Sequence, residues 1–80
     1  MDETEIVRRI SALVEDEHAL ERAHAGTAPS DEELRRLQEI EVALDQCWDL
    51  LRQRRARRNA GEDPEGAQVR PEGMVEGYQQ

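Results

Sequence analysis

The chain has 80 residues, 19 of them acidic and 11 basic, for a net charge of −8, and 38% of the residues are charged against 36% that are apolar. A unit this small and polar has a marginal core of its own, so help from a second copy or from the tail is expected. One cysteine excludes an intrachain disulfide and a cysteine-based zinc cluster, and the acidic body disfavours nucleic acid and anionic lipid.

The N-terminus reads Met1-Asp2-Glu3, without a basic region or an apolar run behind it, and no stretch nears the roughly 18 apolar residues that cross a bilayer. A soluble cytoplasmic protein with no membrane contact is the expectation. All basic residues are Arg, which hints at a high-GC bacterial genome.

The first element is an amphipathic helix over about residues 3–25. Ile6, Ile10, Leu13, Leu20 and His24 recur at three- and four-residue spacings if Glu17 fills the gap, and Val7 and Val14 widen the stripe. Asp2 and Glu5 form a capping pair, and Gly26 supplies the left-handed residue that ends the helix. After the connector Thr27-Ala28-Pro29, Ser30-Asp31-Glu32-Glu33 reads as a capping box that opens a second helix over about residues 31–60. Its stripe runs Leu34, Leu37, Ile40, Glu41, Leu44, Cys47, Trp48 and Leu51, and Gly61 with Pro64 stops it.

A short connector makes the helices antiparallel neighbours, so residues 1–61 form a two-helix hairpin that dimerises into a four-helix bundle, and residues 62–80 form an irregular tail. In the expected register Ile6 meets Trp48, which anchors the open end of the hairpin. The second helix then overhangs the first, and the overhang is basic. Residues 1–51 carry fourteen acidic and five basic side chains, whereas Arg52, Arg54, Arg55, Arg57 and Arg58 make the only basic surface. Beyond Leu51 no intrachain packing partner is expected.

Three constellations compete for a chemical role. Glu15/His18 and Glu21/His24 repeat a Glu-x-x-His spacing that, completed by Glu41, resembles the ligand pattern of di-metal carboxylate bundles. Against it stand the edge position of the first pair and the wet position of His24, so the primary reading holds no metal, no cofactor and no catalytic residue. Glu17 and Glu41 sit on the apolar stripes and need partners, which makes them register-setting groups rather than acid/base catalysts. The Arg block supports docking to an acidic protein surface, with nucleic-acid binding as an alternative that lacks interleaved aromatic residues. Cys47 reads as a small buried hydrophobe.

The segment from Leu44 to Ala56, LDQCWDLLRQRRA, with Glu17-His18 upstream and Val75-Glu76-Gly77-Tyr78 at the end, resembles a family of short actinobacterial proteins classed as a domain of unknown function. The resemblance implies a bacterial cytoplasmic origin and supplies no activity, substrate or catalytic residue. The reading is therefore a non-enzymatic protein-interaction or accessory module that forms a homodimer. Its expected surface for an unidentified protein partner is Trp48, Asp49, Arg52, Arg54, Arg55 and Arg58, completed by Tyr78.

Overall fold

The computed structural model describes residues 1–71. Two α-helices, α1 (Glu3–Ala23) and α2 (Asp31–Asn59), are followed by a 3-10 turn at Pro64–Gly66, and no strand occurs among the described residues. Tyr78 of the expected partner surface, and Met74 and Val75 of the tail, lie outside the described residues.

Both helices begin where the local sequence satisfies the amide groups that a first turn leaves unpaired. The Asp2 carboxylate accepts from the Glu5 amide at 2.8 Å, and the Ser30 hydroxyl accepts from the Glu33 amide at 3.2 Å. Each N3 glutamate returns the bond: the Asp2 amide donates to Glu5 at 3.4 Å and the Ser30 amide to Glu33 at 3.0 Å. Acidic side chains in both first turns add a favourable charge against the helix dipole.

The helix ends differ. α1 stops at Ala23 because the His24 and Ala25 amides turn to carbonyls three residues back, Glu21 and Arg22, and Gly26 then takes φ 85°. α2 closes in a Schellman arrangement: the Glu62 amide donates to the Arg57 carbonyl at 2.7 Å and the Gly61 amide to Arg58 at 3.1 Å, with Gly61 at φ 77°.

The core is Ile6, Ile10 and Leu13 from α1 against Ile40, Cys47, Leu50 and Leu51 from α2, with Val14, Leu20, Ala43, Leu44 and Ala67 packed around it. Each fully buried aliphatic side chain contributes about 1.5–3 kcal/mol, so seven buried residues make a thin core that peripheral contacts must reinforce. Ion pairs border it. Glu3 meets Arg55 at 3.2 Å and Arg58 at 3.7 Å, Asp16 meets Arg36 at 3.6 Å, and His24 pairs with Glu33.

Three expectations about α2 are corrected. Trp48 is 44% exposed and does not anchor the core, and Leu34 is 46% exposed. Ile40, Cys47, Leu51 and Arg54 fall within about 40° of one line on a helix that turns about 100° per residue, whereas Trp48 lies about 80° round from Ile40. The stripe drawn through Leu34, Glu41 and Trp48 was thus rotated off the buried line. Glu41 is exposed and Glu17 half-buried, so neither is a buried carboxylate in need of rescue.

The third correction concerns the end of α2, which does have an intrachain partner. Residues 62–71 fold back along it, the 3-10 turn packs on α2, and Ala67 reaches the core cluster. Asp63 caps that turn by accepting from the Glu65 amide at 2.9 Å, and Pro64 occupies its first position, where no amide is missed.

Candidate functional site

The polar residues of α2 between Gln46 and Arg58 hold the returning segment. Gln53 makes a two-way pair with its backbone: the side-chain amide donates to the Gln68 carbonyl at 2.6 Å and the side-chain oxygen accepts from the Gln68 amide at 3.2 Å. Two turns earlier in α2, Gln46 donates to the Arg70 carbonyl at 3.2 Å. Between them Asp49 is 1% exposed, accepts from Gln53 at 2.8 Å and faces the Arg70 guanidinium at 3.6 Å. Asp49 lies about 180° from Ile40 on the helical wheel, so its burial comes from the returning segment rather than from α1.

Arg54 closes the far end of this contact. Its Nη1 donates to the Met1 carbonyl at 3.0 Å and the Pro64 carbonyl at 3.4 Å and pairs with Glu65 at 3.1 Å. One guanidinium nitrogen thus joins the start of the chain, α2 and the 3-10 turn, and the side chain is 9% exposed. Arg57 lies along the same turn, its guanidinium packed close over Gly66.

These contacts revise the expected partner surface. Asp49 and Arg54 are buried and engaged inside the chain, so neither is open to solvent while residues 62–71 lie along α2. Arg55 and Arg58 are exposed but shared by Glu3, and Arg57 pairs with Glu62 at 3.6 Å. Arg52 is exposed, as is Trp48. Four of the five arginines of the basic block thus pair with Glu3, Glu62 and Glu65. Val7, Thr4, Arg8 and Glu3 line one shallow cleft with Arg55.

The alternative metal ligands Glu15, His18, Glu21, His24 and Glu41 do not come together as one group among the described residues. The group that comes together among the described residues is Glu17, His18 and Glu21, whose donor atoms lie within 4.8 Å of one another on α1. Glu15 and Glu41 are not part of it, and His24 is taken by Glu33. His18 and Glu21 are exposed, where water competes for every ligand position.

Two capping carboxyls and one thiol have shifted acidities. The hydrogen bond from the Glu5 amide holds the Asp2 carboxyl below its ordinary value, and the Ser30 hydroxyl and amide do the same for Glu33, with His24 adding to the effect. Burial pushes the Cys47 thiol up, against a smaller opposing pull from Arg9. Cys47 is therefore no activated nucleophile.

A family model described as a protein of unknown function, DUF2630, matches residues 2–80. The chain belongs to the DUF2630 family. Uncharacterised proteins of Mycobacterium bovis and of Mycobacterium tuberculosis are each 50% identical to this DUF2630 chain over 78 residues, covering 95% of it and 88% of their own length. The resemblance to an uncharacterised actinobacterial family agrees with both findings. No solved structure matches the chain.

What reading the DUF2630 sequence missed is the clamp. A signal was present: Gln46, Asp49 and Gln53 recur at three- and four-residue spacings on a face of α2 away from the apolar stripe. Side-chain amides in such a row suit the pairing of a peptide backbone, because each offers a donor and an acceptor.

Proposed function

We propose that this chain is a non-enzymatic interaction module: an antiparallel helical hairpin that pairs with a second copy as a four-helix bundle and presents that assembly to a protein partner in the cytoplasm. The observation that carries the reading is the apolar face left uncovered. Val7, Leu34 and Trp48 are 47%, 46% and 44% exposed, with Val14, Leu37 and Leu44 half-buried beside them. The pairings of Glu3 with Arg55, Asp16 with Arg36 and His24 with Glu33 support the antiparallel arrangement. In that arrangement Val7 and Trp48, each about 80–100° round from the buried line of its own helix, fall on the same side of the pair. The returning segment covers the other side. A stripe of this kind on a chain with a thin core is the surface a second copy covers best. The engagement of most charged groups in caps and intrachain pairs favours a structural use of them over acid/base chemistry. A single buried, unactivated Cys47 suits a reducing compartment.

Sedimentation velocity across the micromolar range tests the reading. The wild-type chain is expected at twice its 9.2 kDa mass, and Trp48→Glu or Val7→Glu is expected to return it to monomer with its helical content kept. A wild-type chain that stays at 9.2 kDa at high micromolar concentration refutes it.

A further inference from the structure

The returning segment is held in a way that reads backbone first and side chains second. Ala67 has φ −66° and ψ 138°, the polyproline II region, and leads into Gln68, Val69, Arg70 and Pro71. Ala67 and Arg70 are half-buried and the two residues between them are exposed, a repeat of three that matches the three residues per turn of such a helix. Gln53 takes both the amide and the carbonyl of Gln68, and Gln46 takes the carbonyl of Arg70. None of these bonds depends on which side chains the segment carries. Selectivity lies at two places: Ala67 packs its apolar side chain against the core cluster, and the buried Asp49 carboxylate selects a cation three positions on.

We propose that the α2 surface formed by Gln46, Asp49, Leu50 and Gln53 is a docking site for an extended Ala-x-x-Arg segment. The chain's own residues 67–70 fill it in cis, and a partner segment of the same pattern enters it in trans. The occupant's chemistry follows from the one already seated: an extended backbone, a small residue and an arginine. The cis segment is tethered a few residues from the end of α2, so it competes at an effective concentration near the millimolar range, and trans binding depends on loosening it. The site lies on the side of α2 away from Trp48 and does not depend on self-association.

Fluorescence anisotropy of a labelled peptide spanning residues 63–71, titrated with the full chain, tests the proposal. Arg70→Ala weakens the cis occupant, so this variant is expected to bind the peptide about tenfold or more tightly than the wild type does. A peptide with Ala in place of its arginine is expected to lose about as much, and adding Gln53→Ala to the variant is expected to abolish binding. Circular dichroism establishes that each variant is folded, and Arg70→Gln serves if Arg70→Ala is not. The proposal is overturned if the folded variant binds the peptide no better than the wild type, or binds the arginine-free peptide equally well.

Discussion

Replacing Arg54 by Ala should cost far more stability than replacing any other arginine of the block. The Arg54 side chain is 9% exposed and its Nη1 reaches the Met1 and Pro64 carbonyls and Glu65. A hydrogen bond to a charged group contributes about 1.5–3 kcal/mol, and the loss is moderated here because Glu65, 60% exposed, regains water. The 3.4 Å contact to Pro64 is long and adds little. The aliphatic stem of this buried side chain is also lost, so the total is about 2–4 kcal/mol. In a domain of this length that lowers the melting temperature by roughly 10–25 °C. Arg58→Ala is the control: it is half exposed, 3.7 Å from Glu3, and an exposed pair contributes about 0–1 kcal/mol. Thermal and urea unfolding followed by circular dichroism at 222 nm measures both. If Arg54→Ala melts within a few degrees of Arg58→Ala, the buried guanidinium does not hold the two ends of the fold together.

Two further outcomes follow from the shifted acidities. Iodoacetamide should modify Cys47 slowly in the native protein at pH 8 and quickly in urea, because the raised thiol is both buried and protonated; equal rates read by mass spectrometry would contradict the burial. The capping carboxyls Asp2 and Glu33 have folded-state values below their unfolded ones, so the unfolded chain binds more protons in that window. Their contribution is complete above the ordinary carboxylate range, about pH 4–4.5, and is lost as pH falls through the lowered values. Ser30→Ala should cost about 1 kcal/mol at neutral pH and flatten the acid limb of a stability-versus-pH curve; an unchanged limb would show that the Ser30 cap does not lower the Glu33 value.

The helix caps were legible because every partner in them lies within three residues, as in Ser30 with Glu33 and Asp2 with Glu5. The all-helical class and its two helices follow from that local chemistry and from the three-to-four spacing of Ile6, Ile10 and Leu13. The rotation of α2 was harder to read. Leu44, Cys47, Trp48, Leu50 and Leu51 supply apolar residues around much of one turn, and only the position of the facing helix decides which of them is buried. The clamp lay furthest from view. Gln46, Asp49 and Gln53 meet partners 15 to 24 residues away, and polar side chains on a helix read the same whether they face water or a returning backbone. For the same reason the arginine block read as an open basic surface, although Glu3 lies 52 residues before Arg55.

The turning of those arginines toward the chain's own carboxylates sets how it meets other molecules. With Arg54, Arg55, Arg57 and Arg58 engaged, the outward field belongs to the acidic surplus of residues 1–51. A basic partner is drawn in from a distance, and its approach slows as ionic strength rises. In the proposed dimer, a second copy would approach as a like-charged body and meet the opposite rule: added salt would screen the repulsion and leave the apolar stripe to act. Salt therefore separates the two kinds of encounter, weakening the one that charge guides and strengthening the one that burial drives.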